Sequence, residues 1–470
     1  MSETMAPPSV GSTLDELRTQ IRGPVAGPRD PDPSRPAYNA MHASTPDVVV
    51  RASGTADVVD AVDHARTHSM PIAVRGGGHS IAGLSSPTTG MLIDLADMRA
   101  VHVDPHANRA VVQGGALWAD VDRETQAYGL VAPGGVVSDT GVAGLTLGGG
   151  YGWVRRKYGL TVDQLVEAEI VTADGRILTA SDKEHPDLFW ALKGGGGNFG
   201  VVTSFTFALN PLGPLVGFSA TFYPAEEYAS VLRGWRDFAD GAPDEVSSLV
   251  VALTFPADPH MPPQLHDRPV VIVGAVHAGS DPELGLAETA PLRALGTVLA
   301  DLSGPAPFTG VQSGFDGLFP RGGQRSFWKS QYLDALTDDA IDTLTALANE
   351  RPSPLAMIEV MQMGGAIAHV DSEETAFAQR DAPHLVAIDS NWAHAGDDAR
   401  NVAWVRDAWD RLTPYGNGEV YLNFSGRDGA APDVGADTAL GRNLARLGRI
   451  KAQYDPDNTF RLNHNIAPAA

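Results

Sequence analysis

The sequence predicts an α+β protein. Its first half is built from short β and α elements strung between glycine-rich loops, and its second half carries one large antiparallel sheet covered by helices. Two observations carry this expectation. Residues 46–212 alternate strand and helix patterns around four glycine clusters, whereas residues 213–417 shift to long alternating strands and amphipathic helices. In order along the chain, residues 1–45 are rich in proline and polar groups and form an N-terminal extension, apart from a short helix near residues 14–21. VVVRA (48–52) reads as a strand. In residues 55–69 Val58, Val59, Val62 and Ala65 share one helical face, and PIAVR (71–75) is a second strand. Further strands are expected at 91–95, 109–114, 167–173 and 200–209, with helices at 117–129 and 185–192. The second part contributes VGFSATFY, SSLVVALTF, RPVVIVGAV, SFWKSQYL, PLAMIEVMQMGG and HLVAIDSNW to one antiparallel sheet. A last segment, 418–470, runs through EVYLNFSG, a helix and a closing turn.

Composition narrows the function. At 470 residues the chain has room for more than one core. It shows no apolar run of about 18 residues, which argues against a transmembrane helix, and its first residues lack a signal-peptide pattern, so a cytoplasmic protein is expected. With 34 basic against 57 acidic residues, a net charge of −23 repels nucleic acid and anionic membranes. A small-molecule substrate is the expected partner, to a monomer or homodimer. The absence of cysteine removes thiolate nucleophiles, iron–sulfur clusters and cysteine zinc sites.

The glycine clusters are RGGGHS (75–80), QGGALW (113–118), GLTLGGGYG (144–152) and LKGGGGNFG (192–200). Such runs are kept where something must approach the backbone closely, and several converging loops suggest a long ligand with a pyrophosphate. Gly195, Gly197 and Gly200 match the dinucleotide fingerprint in spacing, but a strand-like VVTSFTF follows where a helix is required, so a Rossmann fold is rejected. No P-loop motif occurs. GGHSIAG has the wrong spacing for a hydrolase elbow, and no second ligand stands at metal spacing from His79, so no metal is expected. A histidine directly after a glycine loop is well placed to be alkylated by the ring of a bound cofactor.

RGGGHS, GLTLGGGYGWVRRKYGL, EIVTADG, DLFWALKGGGGNFGVVT and the terminal YLNF…YDPDNTFRLNHNI resemble, in order and spacing, the vanillyl-alcohol-oxidase-type flavoproteins of the berberine-bridge-enzyme-like branch. The resemblance covers roughly residues 40–212 and 418–468 and is nearest to bacterial members with one covalent flavin link, such as 6-hydroxynicotine oxidases and polyketide-tailoring oxidases. It implies a PCMH-type FAD-binding domain of two α/β subdomains over 46–212, a substrate domain over 213–417, and a C-terminal segment that returns to the FAD domain. It also implies that His79 carries FAD through the 8α-methyl group. Arg75, Gly76, Gly77, Gly78, His79 and Ser80 would enclose the pyrophosphate. Gly141, Gly144, Gly148, Gly149, Gly150 and Gly152 would line the other side, and Gly200, Val201 and Val202 the adenosine. Gly83, Val137, Ser138, Thr140 and Val171 complete the implied contacts, with Tyr421, Asn423, Asn463 and Asn465 near the ring. The chain departs from the family at three places. Val137 stands where many relatives place a second, cysteinyl link, so the link should be single. Leu145 replaces a histidine beside the flavin C2 carbonyl, and Phe424 occupies the position of a base in the YxNx strand.

Flavin chemistry requires a base near a mostly apolar pocket. In AMIEVMQMGG the strand period puts Glu359, Met361 and Met363 on one face and Ile358, Val360 and Gln362 on the other. Either face could be inward, with Glu359 or Gln362 as its polar group. SFWKSQYL likewise offers Phe327, Lys329 and Gln331 or Trp328, Ser330 and Tyr332. Burial among thioethers would raise the pKa of Glu359 and fit it to act near neutral pH. The expected reaction is hydride loss from an alcohol, an amine or a polyketide-type ring to flavin N5 and proton loss to Glu359, with reoxidation by O2 to give hydrogen peroxide, for which Thr140 would leave room. Glu359, Tyr421 and Thr140 form the expected catalytic set. An oxygenating flavoenzyme and a non-catalytic flavin-loaded binding protein are the alternatives.

Overall fold

The computed structural model describes residues 10–427 and 438–470. Three short strands, Val48–Arg51, Met91–Asp94 and Ile72–Arg75, pair in parallel in that order, with Val25–Ala26 antiparallel at one edge. The helix Thr55–Thr67 crosses between two of them and buries Val58, Ala61, Val62 and Ala65 against the sheet. Because Ile72–Arg75 is parallel to its neighbour, it ends where the first glycine loop begins, at the carboxyl edge where open α/β sheets bind ligands. A second sheet orders Val101–Asp104, Arg109–Gln113, Val201–Ala208, Leu165–Val171 and Ile177–Ser181, all antiparallel. The strand after the 192–200 loop therefore lies in an antiparallel sheet, as the rejection of a Rossmann unit requires.

The third sheet is antiparallel and eight-stranded. Its central path runs Leu215–Pro224, Arg268–His277, Val246–Phe255, Met357–Gln362, His384–Trp392 and Arg325–Leu333. One face packs under the helices Tyr228–Ala239, Asp338–Asn349 and Asp398–Leu412, burying Ile358, Val360, Val386 and Ile388. The other face carries Trp328, Tyr332, Met357 and Met361 toward the glycine loops. The chain then returns to its first half, where the helix Leu444–Tyr454 packs Leu447, Ile450 and Tyr454 against Leu188 and Phe189. Lys451 and Asp455 are both fully buried and 2.6 Å apart; Lys451 Nζ donates to the carbonyls of Asn198 and Phe460, and Asp455 accepts from the N–H groups of Thr459 and Phe460.

Two sequence expectations need correction. YLNF is not a strand: Leu422–Phe424 is a 3-10 turn. Tyr421 N–H bonds the Ser330 side chain and Phe424 N–H folds back to Tyr421 O, so no ladder continues. The short edge strands Val101–Asp104 and Ile177–Ser181 carry too few buried residues to stand out in sequence. Among the described residues, no helix is long and apolar enough to cross a membrane.

Candidate active site

Between the glycine loops and the inner face of the third sheet lies a cavity of about 290 Å³, at the lower end of the roughly 300–1,000 Å³ of an ordinary ligand pocket. One wall is backbone. The carbonyls of Gly76, Gly77 and Gly78 are drawn outward by Arg35 Nη1, Arg321 Nη1 and the N–H of Tyr38. Among the described residues no acceptor takes the N–H groups of residues 77–80, which border the cavity, and Gly78 adopts φ +76°. A run of free amides with alternating hand is a concave anion site. Across from it, a Cβ on Gly144 or Gly197 would meet no protein atom, so both positions open directly on the cavity. These features fit a pyrophosphate-bearing cofactor. Gly77 and Gly141 touch backbone to backbone: a Cβ on Gly77 would lie 2.2 Å from Gly141 Cα. Gly77→Ala is therefore expected to force the two loops apart at a cost of about 3 kcal/mol or more, read as a lowered melting temperature and lost flavin loading.

His79 follows this cradle. Its ring stacks on Tyr38 with centroids 4.8 Å apart, and Nε2 lies 3.3 Å from Asp139 Oδ2. Burial lowers the His79 pKa, against a smaller opposing pull from Asp139. Asp139 itself is raised by burial, but hydrogen bonds from His79 and Arg321 outweigh that and bring its carboxyl down to about 2. Arg321 Nη2 sits 2.8 Å from the same carboxylate. A neutral imidazole that donates Nε2–H to this acid keeps its lone pair on Nδ1.

At the sheet wall, Glu359 lines the cavity and shares its strand face with the buried Met357 and Met361, while Gln362 points to the opposite side and bonds Ser248 Oγ and Ala239 O. Of the two sets in the neighbouring strand, Trp328, Ser330 and Tyr332 take the cavity side. Phe327 packs under the helices, and Lys329 covers the Trp409 ring. Burial pushes Glu359 up to about 7. Asp389, one strand over, is also held well above the usual carboxylate range, first by burial and then by Glu359. Tyr421 Oη accepts from Gly150 N–H at 3.2 Å and Asn423 Nδ2 at 2.9 Å; burial moves it up to about 12. Asn423 Nδ2 also reaches Leu145 O.

The cavity thus gathers Gly76, Gly77, Gly78, His79, Ser80, Val137, Thr140, Gly141, Gly144, Gly148, Glu359, Tyr421, Asn423 and Asn463. Other expected residues lie behind its wall. Arg75, 2% exposed, spends its donors on Ser34, Ser44 and the carbonyls of Arg35 and Ser85, and so braces the loop. Gly83 packs on His42, Gly149 on Phe377, Gly150 on Thr161 and Gly152 on Gly134 O. Ser138 bonds Asp316 through both N–H and Oγ. Val201 pairs with Val171, and Val202 with Ile170, inside the second sheet; Gly200, at φ +151°, abuts Val171 O. Asn463 bonds Gly197 O and Phe460 O, on a different loop from Tyr421, and Asn465 is exposed. Sequence reasoning missed Tyr38, Asp139, Tyr151, Arg321 and Asp389. The only signal for Asp389 was an acid in a strand pattern, and Tyr38 and Arg321 lie in stretches without periodicity.

A sequence profile described as an FAD binding domain matches residues 46–181, and one described as berberine and berberine-like matches residues 420–467. The chain is 31% identical to the FAD-linked oxidoreductase YgaK of Bacillus subtilis, covering 96% of this chain and 98% of that protein. It is 29% identical to (R)-6-hydroxynicotine oxidase of Paenarthrobacter nicotinovorans, covering 95% and 97%. The crystal structure of 6-hydroxy-D-nicotine oxidase from Arthrobacter nicotinovorans superposes with a TM-score of 0.82 at 27% identity, covering 96% and 98%. A Physcomitrella patens BBE-like 1 structure shares the fold, with a TM-score of 0.85 at 22% identity and coverage of 98% and 99%.

Proposed function

Because this chain belongs to the FAD-linked oxidoreductases that carry a berberine-like C-terminal segment, we propose that it is an oxidase with a single histidyl-linked flavin, which takes hydride from a small organic substrate and passes the electrons to dioxygen to give hydrogen peroxide. When bound, FAD supplies the two-electron acceptor. The chain supplies the rest. The amides of residues 77–80 hold the pyrophosphate, and Gly144 and Gly197 let it approach. His79 Nδ1, freed by the Asp139 contact, is the nucleophile for the ring methyl. Tyr421 and Asn423 are pinned to Gly150 and Leu145 and keep the C-terminal turn against the third loop. The apolar wall of Trp328, Phe319 and Phe424 excludes water.

The observation that carries the reading is Glu359: an acid on the cavity wall, with its titration moved close to neutrality. As a general base it takes the proton that must leave when hydride does. Anaerobic mixing with candidate alcohols and amines tests this. Bleaching of the flavin band, followed by peroxide on readmitting air, is the expected result; a band shift without bleaching would mean binding alone.

Thr140 lines the cavity beside the Gly141 loop. We expect Thr140→Leu to slow reoxidation of the reduced enzyme by dioxygen about tenfold, a barrier change of ~1.4 kcal/mol, measured by stopped-flow absorbance. Equal rates would remove this residue from the oxygen path.

A further inference from the structure

We propose that a second cavity, on the helix-covered face of the third sheet and apart from the flavin cavity, binds a small organic carboxylate with an apolar body; this goes beyond the oxidase reading and does not rest on it. The cavity measures about 340 Å³, within the range of ordinary ligand pockets. It lies where the helix Tyr228–Ala239 begins and the helix Asp338–Asn349 ends. Ala252, Val271 and Ala348 form its apolar floor. Strand alternation separates it from the flavin cavity: Val251 and Ile272, the chain neighbours of Ala252 and Val271, turn to the opposite face of the sheet.

The polar groups are what call for a ligand. Arg351 follows the second of these helices and lines the cavity, and its Nε is buried without a hydrogen-bond partner. Among the described residues no carboxylate pairs with the guanidinium and no protein group accepts from it. Independently, Tyr228 is 1% exposed and lines the same cavity, and its hydroxyl is also unpartnered. The two groups are close enough for each to shift the other's titration. Burial lowers the Arg351 pKa, yet a guanidinium keeps its proton at any physiological pH. Unlike a buried carboxylic acid, it cannot escape the cost of burial by becoming neutral. The opposed dipole ends of the two helices largely cancel at the rim, which leaves the guanidinium as the charge to be matched. Arg400 Nη2 bonds Pro352 O, and Ser353 Oγ accepts from Leu355 N–H, so the loop that presents Arg351 is held in place.

A carboxylate answers each of these features. The planar fork of donors on Arg351 suits its two oxygens, and the Tyr228 O–H stands beside the fork as a further donor. An apolar body on the ligand then covers Ala252 and Val271. The chain's net charge of −23 opposes multiply charged anions, so a monoanion with an apolar body is favoured over phosphate.

The test is a ligand-observed NMR titration of the flavin-loaded full chain at constant ionic strength, with benzoate against benzamide, its neutral counterpart. Benzoate is expected to bind at least about tenfold more tightly than benzamide and to leave the visible flavin band unmoved, and Arg351→Gln to remove that preference. Tyr228→Phe keeps the packing of the core and is expected to weaken benzoate by about two- to tenfold, the loss of one hydrogen bond; it is the second variant should the first fail to fold. Equal affinity for the two probes, no binding of benzoate, or benzoate binding unchanged in both variants overturns the proposal. So does displacement of benzoate by an equal concentration of inorganic phosphate, which would show a site for any anion. A flavin-band shift that tracks benzoate occupancy would put the probe in the other cavity and overturn it too.

Discussion

With His79 replaced by alanine, the chain precipitated by acid is expected to come down colourless, whereas the unsubstituted chain is expected to stay yellow and its peptide around residue 79 to carry the mass of the flavin. The expectation rests on position and protonation together. His79 directly follows a loop whose carbonyls are drawn outward and whose amides face the cavity. Burial keeps its ring neutral, and Asp139 takes Nε2–H, so Nδ1 remains nucleophilic at neutral pH. The amides survive the substitution, so the native variant should still bind FAD reversibly and lose it on dilution or denaturation. A colourless acid precipitate from the unsubstituted chain, expressed with ample riboflavin, would remove the covalent link. Failure of the native chain to hold FAD would remove the oxidase reading with it.

Glu359→Gln is expected to lower kcat by roughly 10²–10⁴, the usual worth of a positioned general base, while flavin content is unchanged. Glutamine keeps the shape of the side chain but accepts no proton. In the unsubstituted enzyme the base works when ionised, so kcat should rise with pH through about 7 and level above it; the variant's profile should lose that step. Stability moves in the opposite sense. The folded carboxyl titrates near 7 and the unfolded one near its ordinary 4.5, so between those values the folded state holds more protons and stability falls as pH rises. Removing the charge should therefore stabilise the protein above neutrality, by on the order of 3 kcal/mol at most. A melting temperature of the variant that exceeds the parent's at pH 8 but matches it at pH 5 would show that burial of this one acid is the cause. An unchanged kcat would assign the proton to another group.

Much of the site was legible because its parts are local. RGGGHS can be recognised in sequence: consecutive glycines admit a close ligand at the end of a parallel strand, and the next side chain is the one placed beyond it. The strands of the third sheet were legible because period-two alternation is a local property, and the structure observes Met357–Gln362 and Arg325–Leu333 where that period predicted strands. The period could not choose a face. Glu359 or Gln362 pointed inward with equal right until the helices Tyr228–Ala239, Asp338–Asn349 and Asp398–Leu412 covered one side of the sheet. The Arg75 guanidinium sits next to the phosphate-type loop in sequence, yet its partners Ser34, Ser44 and Ser85 are distant in the chain, so its bracing role was invisible there.

What the sequence determined by itself was the kind of protein: an α+β flavoprotein chain with no thiol chemistry, one histidine after a glycine cradle, and an acid in a methionine-rich strand. Only the tertiary structure decided which groups meet. Asp139 and Arg321 reach His79 from residues 60 and 242 positions away along the chain, and Asp389 joins Glu359 through strand pairing across a turn that the sequence leaves unspecified. The physical reason is range. Backbone conformation and side-chain alternation are set by neighbours a few residues away, whereas burial, and with it the charge state of every acid in the cavity, depends on what the folded chain brings to the other side.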